Sequence, residues 1–311
     1  MNKEHKKYLI RLLYLILLIC AFVLCILSAP LQKSTVSILD ICAKSVIPSL
    51  FPFMVISSML TQSAPFLFSE TDKNLPVLGM PSCSLTAVLL GAICGFPTGV
   101  ITAAGLKNRG LITKEQAESL AMISNNTGPA FIIEVIGGGF WHSRLIGVKL
   151  YLIQIISCFI LGILYFLLSP KHSQVRILSK KTSPEIAVSD IAVYFCEAIS
   201  SAASGVIRIC GYIVFFTVVL KSISLVFPFM SVQFNAIISS FLEFTSGCRI
   251  CASVGTRKTL ALSAFSIGFS GLSVFAQSMS FTSRAGFSLK KTFVFKFFQG
   301  LLCAVSAYFL I

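Results

Sequence analysis

The chain of 311 residues is 56% apolar and only 12% charged, with a mean hydropathy of +0.90, outside what a soluble globular domain tolerates. Its 25 Lys and Arg against 11 Asp and Glu leave a net charge of +14, but the basic residues sit in short loops beside apolar runs. The positive-inside bias of membrane proteins produces that pattern, so a membrane topology accounts for the charge without nucleic acid as a partner.

Apolar runs long enough to enter a bilayer recur at Tyr8 to Ser28, Val46 to Leu60, Leu85 to Leu106, Glu118 to Gly137, Leu145 to Leu168, Gly211 to Phe229, Leu260 to Ser280 and Thr292 to Ile311. The first has an apolar core preceded by Lys3, Lys6, Lys7 and Arg11 that is too long for a signal peptide, which predicts an uncleaved anchor. With a cytoplasmic N-terminus, Lys107, Arg109 and Lys114 return to the cytoplasm only if Leu85 to Leu106 folds back at "GFPTG" as a re-entrant hairpin. The same logic makes "IISSFLEFTSGCRICAS" a second hairpin, entering from the opposite face, and places Arg284, Lys290 and Lys291 inside. The C-x-x-C of Cys248 and Cys251 within it has no second pair and reads as small-residue packing rather than metal or redox chemistry.

The two halves echo each other. "GFPTG" (Gly95 to Gly99) aligns with "EFTSG" (Glu243 to Gly247), and "NNTGPAF" (Asn125 to Phe131) with "GFSGLSVF" (Gly268 to Phe275), in the same order. The expected fold is an all-α polytopic membrane protein of inverted repeats, each with a re-entrant hairpin followed by a broken transmembrane helix. Its parts are an anchor at 1–34, a first repeat at 35–168, a basic cytoplasmic linker at 169–190 and a second repeat at 191–311.

"NNTGP" falls at the middle of a run of roughly 30 Å of helix. Pro129 cannot donate a backbone hydrogen bond and Gly128 is conformationally free, so the helix should break there, with Thr127 or Gly128 capping the next segment. Unpaired backbone groups at that depth cost several kcal/mol each unless something satisfies them, so a lined cavity is implied. Ser270 and Gly271 form the matching break. The hairpin tips bring Thr98 and Gly99, then Thr245, Ser246 and Gly247. Hydroxyls, amides and free N–H groups at one depth suit carboxylates. Asn125, Asn126 and Thr127 would donate to one end of a substrate and Ser270 to the other. Glu243 and Arg249 are ionisable at membrane depth, so each is a candidate, although they could also neutralise one another; Gln277 could face the same cavity. No cofactor, metal triad or catalytic motif is visible, so an enzyme is not expected.

At "GFPTGVITAAGLKNRGLITKEQAESLAMISNNTGPAFII", "LEFTSG" and "FSIGFSGLSVFAQSMSFT" the chain resembles the YlbJ/SpoVV-type sporulation integral membrane proteins, which carry the nucleoside recognition or Gate domain. Relatives commonly read G-Y-P-S-G and N-N-S-G-P at the corresponding places. The resemblance implies two Gate-like repeats similar to concentrative nucleoside transporters, and a protein of the mother-cell-derived outer forespore membrane that moves dipicolinic acid. It implies the lipid bilayer and a small molecule as partners, and leaves open a homo-oligomer or a sporulation protein. Two alternatives stand beside it: a transporter of nucleosides or other small organic anions, and a non-transporting scaffold or gate subunit of a sporulation complex.

Overall fold

The structure, a computed structural model, describes residues 3–67, 74–75, 80–81, 83–168 and 188–311. The predicted basic linker falls largely on residues 169–187, outside the described ones. The protein is an all-α polytopic membrane protein, with one two-residue antiparallel ladder pairing Asn74–Leu75 with Met80–Pro81. Among the described residues five helical stretches are long and apolar enough to cross a membrane: Ser28–Leu60, Arg144–Leu168, Ile191–Val226, Arg257–Met279 and Leu289–Leu310. Their outer faces expose Leu, Ile and Phe, as lipid-facing surfaces do.

Helix α1 (Lys3–Ile26) lies within the stretch 1–34 expected to form an anchor, whose last residues belong to the next helix. The second predicted span begins earlier than expected, because α2 (Ser28–Ile41) runs through a π-helical turn (Cys42–Val46) into α3 (Ile47–Leu67). Leu31, Ile38, Cys42 and Val46 form a buried stripe at helical spacing, and the Lys44–Asp40 ion pair spans one turn at 2.7 Å on the exposed side. The partner of this unit is α8 (Val188–Val226), which is longer than the predicted Gly211 to Phe229 run. Ala198, Ala202, Val206, Ile209 and Ile213 give α8 one continuous buried face, and small residues at its start depress hydropathy without interrupting the helix.

Both predicted hairpins form. Helices α4 (Ser84–Cys94) and α5 (Thr98–Asn108) have 11 residues each, and so do α9 (Val232–Leu242) and α10 (Phe244–Val254). Eleven residues rise about 16 Å, half the thickness of a bilayer, so no single helix of either pair is long enough to cross one. After the first hairpin come α6 (Lys114–Ser124), an interruption at 125–128 and a π-helical segment (Phe131–Phe140). After the second come α11 (Arg257–Phe269) and α12 (Gly271–Arg284), separated at Ser270. Helices α7 (Arg144–Leu168) and α13 (Leu289–Leu310) close the two halves.

The last helix, α13, locates the hairpins. At its N-terminal end, Lys107 just before the close of α5 donates to the Ala285 carbonyl at 2.6 Å and lies over the Phe287 ring. At its C-terminal end, Arg257, three residues beyond α10, lies over the ring of Tyr308 at 5.7 Å. The mouths of the two hairpins thus sit at opposite ends of α13, and their tips point at each other. The basic loops around Lys107 and Lys291 share one end, as the charge pattern predicts.

Candidate binding site at the broken helices

Each tip is pressed against the break of its own half. Gly95 has φ +77°, and a Cβ there would lie 2.6 Å from the Gly128 nitrogen. The Phe96 N–H donates to the Asn126 carbonyl at 2.7 Å. In the second half Gly271, at φ +68°, leaves 3.1 Å between a notional Cβ and the Phe244 nitrogen. The tips also meet: Phe96 and Phe244 pack edge to face with ring centroids 6.0 Å apart, and Phe131 lies 5.3 Å from Phe244. Asn125 donates across to Ser278 of α12 at 3.3 Å. Four interrupted elements therefore converge, as expected from the sequence.

Three of the carbonyls freed by "NNTG" find protein donors. Besides the Phe96 contact, the Thr127 carbonyl accepts from Gln154 of α7 at 3.0 Å, and the Gly128 carbonyl from the Ile132 N–H at 3.3 Å. Of the two predicted caps, Gly128 takes the position before the restarted helix and its carbonyl accepts the first helical N–H, from Ile132; Thr127 does not cap it. Its hydroxyl has no partner among the described residues, because the helix restarts at Pro129 and Ala130, beyond the reach of its side chain.

Asn125 and Asn126 sit side by side but do different things. The Asn126 amide nitrogen donates to the Ile123 carbonyl at 2.7 Å and contacts Cys158 Sγ; its oxygen accepts from Lys296 at 3.1 Å and Gln299 at 2.9 Å. Asn126 is a brace between the break and α13. The Asn125 oxygen, by contrast, is buried without a partner. The same holds for Thr127 Oγ1 at the first break, Thr245 Oγ1 at the second tip and Ser273 Oγ just after the second break. Such atoms are rare in folded proteins, and four of the eight among the described residues lie at or beside the interruptions, the others being on Ser84, Trp141, Gln154 and Ser263.

The second tip is organised around Glu243, which is fully buried. Its carboxylate accepts from the Thr245 N–H at 2.9 Å and the Ser246 N–H at 2.6 Å, capping α10. Glu243 thus occupies its own helix terminus, and among the described residues it forms no ion pair with Arg249. Arg249 is half-buried on α10 and does not line the cavity between the tips. Ser246 pairs its hydroxyl with Thr217 of α8 at 3.0 Å, and Ser270, at φ +71°, turns its own onto the Ile267 carbonyl. Gly99 and Gly247 are packing positions, where a Cβ would come within 2.2 Å of the Ser124 oxygen and 2.6 Å of Ser240 Cα. Half-buried Thr98 opens α5.

The cavity itself is small, about 20 Å³, roughly one water. Gly95, Phe96, Thr127, Gly128, Phe244 and Gln277 contribute to its wall, with Leu50, Met54, Ile209 and Ile213 from α3 and α8. Substrate-sized occupancy requires the tips or α3 and α8 to separate. Sequence reasoning missed Lys296, Gln299, Gln154 and the Glu118–Lys291 ion pair at 2.7 Å. A lysine inside "FVFKFFQG" is itself the signal that could have found Lys296.

A sporulation integral membrane protein, YlbJ of Bacillus subtilis strain 168, is similar to this chain, 23% identical over 296 residues that cover 84% of this chain and 72% of that protein. The similarity supports the YlbJ-type family expected from the sequence. No family model matches the chain, and no solved structure does.

Proposed function

We propose, with YlbJ-type kinship as the premise, that this chain is a sporulation membrane protein that carries a small organic anion, dipicolinate, across the outer forespore membrane. The observation that carries the transport reading is the set of buried, unpartnered polar atoms on Asn125, Thr127, Thr245 and Ser273, gathered at the two breaks and one tip. Opposed hairpins whose mouths lie at the two ends of α13 fit an inverted-repeat carrier, in which each half can move against the other. Two helix N-termini, that of α5 at the first tip and that of α12 at the second break, carry no carboxylate in their first turn and favour an anion. The small cavity is the occluded stage of such a cycle.

The test is uptake of dipicolinate into vesicles containing the purified protein, read by terbium trapped inside, with uridine as competitor. The expected result is saturable uptake indifferent to uridine and lost on Asn125→Ala with Thr127→Ala. Uptake blocked by uridine points to a nucleoside carrier. No uptake by folded protein points to the scaffold.

A further inference from the structure

The charge in this core that the proposed mechanism has not used is Lys296. It lies in α13, eight residues into a 22-residue apolar helix, and is only 3% exposed. Its ammonium donates to Asn126 Oδ1 at 3.1 Å and to Gln299 Oε1 at 2.8 Å, both neutral. No ion pair to it occurs among the described residues, and Glu118 of α6, which reaches the N-terminal end of α13, is engaged there by Lys291 and the Ser288 N–H. A buried cation without a counter-charge is costly, and membrane proteins retain such groups where they face a ligand path. Lys296 does not itself line the cavity between the tips; it reaches the first break through Asn126, which is flanked in sequence by Asn125 and by Thr127, the latter a residue of the cavity wall, each with a buried, unpartnered side-chain oxygen.

We infer that Lys296 is a specificity-determining residue. Through Asn126 it holds an uncompensated positive charge against the first break and makes the site select carboxylate anions over neutral molecules of the same shape. This rests on the transport reading and adds the source of its charge preference. Glu243 does not cancel the charge, since its carboxylate is absorbed by the α10 terminus in the other half.

The experiment compares dipicolinate with its neutral diamide. Uptake of dipicolinate, competition by the diamide and thermal stabilisation of the detergent-solubilised protein by each are measured for wild type, Lys296→Met, Lys296→Arg and Asn126→Asp. Wild type should prefer the dicarboxylate by about tenfold or more, and Lys296→Met should erase that preference while still responding to the diamide. Lys296→Arg should keep it. Asn126→Asp sets a carboxylate against the ammonium and should erase the preference with the lysine present, which decides the matter if Lys296→Met does not fold. A brace without electrostatic effect would weaken both ligands alike, and that result, or an unchanged preference in Lys296→Met or Asn126→Asp, overturns the inference. Wild type that neither takes up dipicolinate nor is stabilised by it removes the transport reading, and this inference with it.

Discussion

The two tips align residue for residue, yet they solve the same problem with opposite chemistry. The first, Gly95 to Gly99, turns on a glycine at φ +77° and leaves the N-terminus of α5 without a carboxylate. The second, Glu243 to Gly247, is extended at φ −145° and closes the N-terminus of α10 with the Glu243 carboxylate. The breaks they press against differ in the same sense: the first carries two amides and a lysine-backed brace, the second a left-handed Ser270–Gly271 pair held by local contacts. One backbone plan thus holds an electropositive half beside a self-neutralised half, and the difference lies in side chains at three or four aligned positions. A dianionic substrate held between them would lean on the first half.

Substitutions at the glycines where each tip meets its break give the largest contrast. Gly95→Ala meets both a forbidden conformation and the Gly128 backbone at 2.6 Å, neither of which can yield without parting tip from break. It should cost about 4 kcal/mol or prevent folding. In the second half the glycine at the contact sits on the break instead of the tip: Gly271→Ala faces a milder 3.1 Å contact with Phe244 and should cost about 1 kcal/mol. Thermal unfolding in detergent measures both, and equal losses would break the asymmetry.

Asn126→Ala comes next. It removes the acceptor shared by Lys296 and Gln299 and the donor to Ile123, leaving a buried ammonium under-satisfied, and should cost about 3 kcal/mol. Asn125→Ala loses one long contact to Ser278 and should cost under about 1 kcal/mol while abolishing uptake. Unfolding and uptake on the same preparations separate brace from ligand contact. Glu243→Ala strips two N–H groups of their acceptor and should cost about 2 kcal/mol, with Glu243→Gln retaining part of the loss, as read from the unfolding midpoint.

Much of this plan is readable in the sequence, because backbone breaks announce themselves locally. Gly, Pro and Asn inside an apolar run predict an interruption wherever the chain later folds, and the charge of short loops decides which segments turn back. The hairpins, both breaks and their convergence follow from those two rules. Hydrogen-bond partners do not, since they depend on which helix face arrives from far along the chain. Asn126 and Lys296 are 170 residues apart, so nothing near "NNTGP" says that one amide is spoken for and the next is not. The extents of α2 and α8 were hidden for a related reason: their charged and small residues lower hydropathy, while the buried stripes that hold them are visible only as a pair.

Arg249 tests the limit of reasoning from composition alone. An arginine six residues after a buried glutamate in an apolar hairpin invites an ion pair, and at bilayer depth such a pair would hold several kcal/mol of mutual dependence. In the structure the glutamate faces its own helix terminus, and the arginine lies half-buried midway along α10, more than a turn beyond it. Long side chains in the outer half of a span reach for the interface and need no partner at depth. Arg249→Gln should therefore shift stability by no more than about 0.5 kcal/mol and leave dipicolinate uptake and its preference over the diamide unchanged. A loss as large as that of Glu243→Ala, absent from the Glu243→Ala background in a double-mutant cycle, would show the two residues coupled and make the second half as charge-dependent as the first.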